Sequence, residues 1–247
     1  MLAEISDQEF AAGLDAVAAE VLWEAGIAGP PIDALAVAEG LQLEVTRDFA
    51  MPHRGRLVRL AEPHNSGGVG TIVLGAAERP EREQWAIAHE IGESVAYRVF
   101  ERLGIGFDEG LPTGRELVAN QFASALLLPR RWFAADGRDR DWNLPELKER
   151  YSTASYELIA RRMLEMQPPV VITVCDQGQV HWRKSNVTAR PPELTPEERA
   201  VWRSVHESGR QADEIQNAEL GLERVRCWAI HESDWKREVI RSDVAEI

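Results

Sequence analysis

The feature that most constrains the fold is a long amphipathic helix predicted over residues 81–102. Its small and apolar residues recur at helical spacing and form one stripe: Trp85, Ala88, Ile91, Gly92, Val95, Val99 and Leu103. A second strong helix is predicted from Arg115 to Leu128, where Pro129 ends it. Small residues on its core face, such as Ala119 and Ala123, permit close approach of a neighbouring helix. These two helices predict a helical layer at the centre of the N-terminal half.

The first helix carries the sequence His89-Glu90-Ile91-Gly92-Glu93. In the H-E-x-x-H motif, two histidines one turn apart bind zinc, and the glutamate between them acts as the general base. Here Glu93 stands at the position of the second histidine. Because residues four apart project from the same face of a helix, His89 and Glu93 can bind one ion. Glu90 is rotated from that face but can lean toward a water bound to the ion.

A third protein ligand must come from another element, and Glu116 on the second helix is the best candidate. Asn120 lies one turn after it and is expected to support the site from outside the ligand set. The expected metal is Zn²⁺. Mn²⁺ or another divalent ion is the alternative, because hard ions compete better at a site with an added carboxylate.

Several segments in order carry a resemblance to a known family. They are Pro30–Asp33 with Ala36–Leu41, Arg54–Arg56 with Thr71–Leu74, Glu81–Gly92, and Glu116–Pro129. Over about residues 25–135 the chain resembles the ImmA/IrrE type metallopeptidases, bacterial and phage-related zincins of which many cleave transcriptional repressors. The resemblance implies a zincin-like domain, a metal-dependent endopeptidase activity, and the role of third metal ligand for Glu116.

The departure from the family motif at Glu93 leaves three interpretations open. Glu93 is a genuine ligand in a His/Glu/Glu site, because a carboxylate binds Zn²⁺ at about the same distance as an imidazole. Alternatively, the site binds no metal and the fold serves as a regulatory scaffold. In the third interpretation, Glu93 is a surface residue and His89 an ordinary helix histidine.

Three parts are expected along the chain: a zincin-like metallopeptidase domain over 1–136, a helix-turn-helix-like segment over 137–168, and an α+β domain over 169–247. The first part combines helices with a three-stranded sheet formed by residues 41–45, 55–60 and 69–74. A turn is expected at 64–68, and a surface loop or linker at 130–143. The overall fold class is therefore α+β.

DNA contact by the middle segment is weakly supported, because its basic and acidic residues nearly balance and the whole chain carries a net charge of -13. A structural helical pair or a protein-docking surface is favoured over it. No apolar run is long enough for a membrane helix. Cys175 and Cys227, with no CxxC spacing, predict buried reduced thiols in a cytoplasmic protein. His206 and His231 lack ligand spacing and are expected to be surface residues.

These observations predict a cytoplasmic, zinc-dependent endopeptidase that cleaves a specific protein, with Glu90 as the general base toward a metal-activated water. The family resemblance implies a transcriptional repressor as the substrate, in a stress or mobile-element response. The alternative is a catalytically degenerate regulatory protein that binds a protein partner or DNA.

Overall fold

The computed structural model describes residues 5–48, 50, 55–59, 70–106, 112–215 and 221–245. They form eight helices and eight strands: α1 (Asp7–Glu24), α2 (Ala34–Gly40), β1 (Glu44–Arg47), β2 (Gly55–Arg59), β3 (Gly70–Leu74), α3 (Pro80–Arg102), α4 (Pro112–Leu127), α5 (Arg130–Asp139), α6 (Leu144–Arg150), α7 (Tyr156–Met163), β4 (Val170–Asp176), β5 (Gln179–Ser185), α8 (Pro196–Ser208), β6 (Ala212–Ile215), β7 (Leu222–His231) and β8 (Lys236–Val244). This mixture confirms the predicted α+β class. The turn expected at 64–68 lies outside the described residues.

The chain divides into two compact units, one made of Met1–Asp136 with Lys148–Ser155 and the other of Gly137–Leu147 with Tyr156–Ile247. The first unit contains a three-stranded sheet in the order β1-β3-β2. Strand β3 pairs parallel to β1 and antiparallel to β2, which leaves β2 at one edge. The predicted three-stranded sheet is therefore confirmed, although β1 begins at Glu44, three residues later than expected.

Helices α3 and α4 pack at very short range. A Cβ atom added at Gly92 would lie 2.9 Å from the Cα of Ala119, closer than ordinary van der Waals contact. The helices can approach this closely because Gly92 has no side chain and Ala119 has only a methyl group. Gly92, Ala119 and Phe122 are all buried, so this contact belongs to the core of the first unit.

The N-terminal helix α1 begins with a capping box. Ser6 caps it by accepting a hydrogen bond from the backbone N–H of Glu9, and Glu9 reciprocates in a capping box. Helix α2 begins after Asp33, which adopts extended backbone geometry and whose carboxylate accepts a hydrogen bond from the N–H of Leu35.

The second unit contains an antiparallel five-stranded sheet in the order β5-β4-β8-β7-β6, with α8 packed against β7 and β8. Thr195 caps α8 through a second capping box with Glu198. Cys175 and Cys227 are buried and free of disulfides, as predicted. Burial is also the main cause that raises the pKa of Cys175 to about 12.

The surface loop expected over 130–143 is wrong for its first ten residues, which form α5. Charged residues and Gly137 favoured a loop, but Phe133 and Gly137 lie four positions apart and are both buried. Phe133 packs edge-on against Tyr151 with ring centroids 5.4 Å apart. Tertiary burial thus stabilises a helix that its composition does not favour.

Strand β6 has four mostly exposed residues without a clear alternation, so its pairing with β7 defines it. Among the described residues, no helix combines the length and apolar character needed to cross a membrane.

Candidate metal centre

Helix α3 and helix α4 bring the predicted site residues together. His89, Glu90 and Glu93 lie in the middle of α3, and Glu116 and Asn120 lie one turn apart on α4. His89 and Glu93 are one turn apart and therefore project toward the same side. The close packing of the two helices at Gly92 brings Glu116 to that side as well.

One ligand atom from each of His89, Glu93 and Glu116 can be chosen so that all three lie within 4.8 Å of one another. The Nε2 atom of His89 lies 3.6 Å from Oε2 of Glu116. Donor atoms bound about 2.0–2.2 Å from one zinc ion are separated by similar distances. One imidazole and two carboxylates thus fit a divalent ion, and three protein ligands leave a coordination position for a reacting group.

Asn120 lies beside Glu116 on α4. Its side-chain amide donates to Oε1 of Glu116 at 2.8 Å and to the backbone carbonyl of Glu116 at 3.0 Å. The Glu116 side chain is 61% exposed, so without this contact few groups would fix its rotamer. The hydrogen bond leaves Oε2 of Glu116 directed toward His89.

Glu90 is the most buried carboxylate of the group, with 7% of its surface exposed. Burial raises the pKa of its carboxyl group, while the neighbouring His89 and a hydrogen bond from Leu57 oppose that shift. The backbone N–H of Leu57 on the edge strand β2 donates to Oε2 of Glu90 at 2.6 Å. A Cβ atom at Gly55 would lie only 3.0 Å from Oε1 of Glu90, so a larger residue there would crowd the carboxylate.

These side chains line an open cleft between β2 and the two helices. Its walls are formed by Gly55, Arg56, Leu57, His89, Glu90, Glu93, Arg115 and Glu116. Arg115 was not predicted from the sequence, and its guanidinium lies 3.9 Å from a carboxylate oxygen of Glu93. The sequence signal that could have indicated Arg115 is its position immediately before Glu116, because both residues line the cleft.

A second group of possible ligands lies in the other unit, where His206, His231 and Glu238 converge. His206 and His231 were expected to be surface residues. Their side chains are only 30% and 20% exposed, and both contact the fully buried Glu238. The sequence separates these residues too widely for a spacing rule to connect them.

Comparison with known proteins identifies the family of the chain. No curated protein sequence matches the chain. A solved structure described as a Mycobacterium tuberculosis transcriptional regulator is similar in fold, with a TM-score of 0.63 at 18% sequence identity over 93% of this chain and 75% of the other. The family model of the IrrE N-terminal-like domain, Peptidase_M78, matches residues 40–164, which include both helices of the candidate centre. The chain therefore belongs to the IrrE N-terminal-like, M78 peptidase family.

Proposed function

We propose that the protein is a metal-dependent endopeptidase with His89, Glu93 and Glu116 as metal ligands and Glu90 as general base. The observation that carries this proposal is the convergence of the three ligand side chains beside Glu90 in an open cleft. Membership of a metallopeptidase family supports the reaction class. Zn²⁺ is the proposed ion, and Mn²⁺ is the alternative, since two carboxylates and one imidazole suit harder ions than a two-histidine site does.

When bound, the ion supplies Lewis acidity that polarises the scissile carbonyl and makes a water molecule easier to deprotonate. Glu90 accepts the proton of the attacking water and passes it to the departing amine. Its partial burial suits both steps, because a carboxyl group with a raised pKa holds a proton more readily than an exposed one. The hydrogen bond from Leu57 fixes the orientation of the Glu90 side chain at the wall of the cleft.

The placement of Glu93 bears on the three interpretations of that residue. Its side chain is 28% exposed and shares the cleft with His89 and Glu116, which supports a ligand role over that of an unrelated surface residue. The neighbouring Arg115 compensates part of the negative charge that Glu93 adds. The same ion pair is the observation that favours the second candidate function, a metal-free regulatory protein, because Arg115 competes with an ion for the Glu93 carboxylate.

Metal content separates these two functions. The full-length protein is stripped with a chelator, dialysed against Zn²⁺ and analysed for bound metal by mass spectrometry. We expect His89→Ala and Glu116→Ala each to lose one equivalent relative to wild type. The exposed His181 lies in neither cluster, so His181→Ala is the matched control and should lose none. If His89→Ala binds as much zinc as wild type, the peptidase hypothesis fails and the scaffold hypothesis stands.

Activity requires a separate measurement. A peptide library from a bacterial proteome is incubated with the zinc-loaded protein, and new termini are identified by mass spectrometry. Cleavage by wild type but not by Glu90→Gln, at equal zinc content, is the expected result. Cleavage that persists in Glu90→Gln would exclude this carboxylate as the general base.

The substrate we propose is a transcriptional repressor cleaved in a stress response, which accords with the description of the structural neighbour as a transcriptional regulator. The proposed division of labour places peptidase chemistry in residues 1–136, a helix-turn-helix-like segment in 137–168 and a regulatory α+β domain in 169–247. Direct DNA contact receives little support from a net charge of -13.

A further inference from the structure

The second unit contains a cluster of two histidines and one buried glutamate that the peptidase reaction does not use. His206 lies in the last turn of α8, His231 is the last residue of β7, and Glu238 lies on β8. The Nδ1 atom of His206 lies 2.9 Å from Oε1 of Glu238, and the Nε2 atom of His231 lies 2.6 Å from the same oxygen. Three separate elements thus direct ligand atoms at one point.

Glu238 is fully buried, so its charge must be compensated by its neighbours. Its second oxygen, Oε2, accepts a hydrogen bond from the indole N–H of Trp202 at 3.0 Å. Within the part of the chain that the structure describes, no arginine or lysine donates to Glu238; the ammonium of Lys236 donates instead to the backbone carbonyl of His206. The groups available to compensate the negative charge of the carboxylate are therefore the two imidazoles and any cation that the imidazoles bind.

We propose that His206, His231 and Glu238 form a second metal site, which binds a divalent transition ion of the Zn²⁺, Co²⁺ or Ni²⁺ class. Two imidazole nitrogens and one carboxylate oxygen are the donor set that such ions prefer, whereas Mg²⁺ and Ca²⁺ prefer oxygen ligands alone. This site is independent of the peptidase centre and of the function proposed for it.

The geometry requires only a small adjustment to hold an ion. Ligands at about 2.0–2.1 Å from a tetrahedral ion lie about 3.3 Å apart, so the imidazole nitrogens must each move by roughly half an ångström from Glu238. Each imidazole then carries its proton on the other ring nitrogen, which is Nε2 in His206 and Nδ1 in His231. Both rings are partly exposed and can make this movement.

Two glycines lie beside the ring nitrogens that do not contact Glu238. A Cβ atom at Gly178 would be 3.8 Å from Nε2 of His206, and one at Gly209 would be 3.5 Å from Nδ1 of His231. His206 itself lies in the last turn of α8, where the partial negative charge of a helix C-terminus favours a cation. The cluster thus offers three protein ligands, and water or a small anion would complete a tetrahedral coordination.

The experiment compares four full-length proteins: wild type, His89→Ala, His231→Gln and the double variant. Each is stripped of metal, dialysed against Zn²⁺ and analysed for bound zinc, with circular dichroism to confirm the fold. We expect His89→Ala to retain one equivalent that the double variant loses. Equal zinc in His89→Ala and the double variant would overturn the proposal. If instead the peptidase site binds no zinc, wild type and His89→Ala will contain equal amounts of zinc.

Three further measurements extend the test, and the first two do not require His231→Gln to fold. His206→Gln alters a partly exposed helix residue and should remove the same equivalent. Zinc K-edge absorption of the unaltered cluster, in His89→Ala, should show two imidazole ligands. A spectrum with no imidazole or only one contradicts the site. Thermal unfolding completes the set: zinc should raise the Tm of His89→Ala and leave that of the double variant unchanged.

Discussion

Replacement of Gly92 by alanine tests how the packing of α3 on α4 controls the metal centre. The new Cβ would lie 2.9 Å from Cα of Ala119, whereas carbon atoms in contact prefer about 3.5–4.0 Å. The helices must therefore separate locally by roughly 0.6–1 Å. Because His89 and Glu93 lie on α3 and Glu116 on α4, this separation widens the ligand triangle by a similar amount.

The effects on stability and on metal binding should differ in size. Overpacking a core costs about 1–3 kcal/mol. A helical glycine replaced by alanine recovers about 1 kcal/mol of helix propensity. The net loss of unfolding free energy for Gly92→Ala is therefore about 1 kcal/mol. Metal sites tolerate ligand displacements of only about 0.2 Å, so zinc affinity should fall by about 10–100-fold.

The assay is urea unfolding of the metal-free protein together with zinc titration of the folded protein. Gly13→Ala is the matched control, because a Cβ there would meet only the flexible side chain of Leu103, at 3.2 Å. Gly13→Ala should be neutral or slightly stabilising and should bind zinc like wild type. Wild-type zinc affinity in Gly92→Ala would refute the argument that the close helix contact positions Glu116.

Three further outcomes are expected. Glu93→His restores the two-histidine motif and should keep or raise zinc affinity; a large loss would show that Glu93 is not a ligand position. Arg183→Met leaves the fully buried carboxylate of Glu198 without the cation that contacts both its oxygens. The free energy of unfolding, measured with urea, should fall by about 3–5 kcal/mol. A fall of less than about 1 kcal/mol would contradict a buried ion pair. The guanidinium of Arg237 holds the pKa of Asp176 below its usual range by a bidentate hydrogen bond. The ion pair therefore stabilises the folded protein above the unfolded pKa of about 3.9, and this stabilisation is lost as the pH falls toward the lower folded pKa. Arg237→Met should therefore be less stable than wild type at pH 7, with a difference that narrows below about pH 4; a constant difference across that range would exclude this linkage.

Much of the first unit could be predicted from the sequence because its main helices are locally determined. The periodic stripe of α3 and the small residues of α4 indicate both the helices and their close approach. The spacing of His89 and Glu93 likewise needs only helical geometry. Glu116 required a tertiary step, the assignment of a second helix to the same site, which its flanking pattern and the family resemblance supplied.

The features that escaped prediction depend on contacts between distant elements. Helix α5 is stabilised by burial of Phe133 against Tyr151, which no local pattern reveals. The hydrogen bond from Leu57 to Glu90 depends on β2 lying at the sheet edge beside α3. Sequence spacing offers no measure of such contacts, because both partners are fixed only when the sheet packs on the helix.

The cluster around Glu238 depends on the register of β8 against β7. A hairpin that paired Glu238 with Trp228 would differ from the observed register by one residue. In the structure β8 begins at Lys236, His231 pairs with Lys236, and Ala229 pairs with Glu238. Side chains alternate between faces along a strand, so a shift of one residue assigns every side chain of β8 a partner from the opposite face of β7. Only the observed register places Glu238 diagonally beside His231, where two imidazoles reach one carboxylate oxygen.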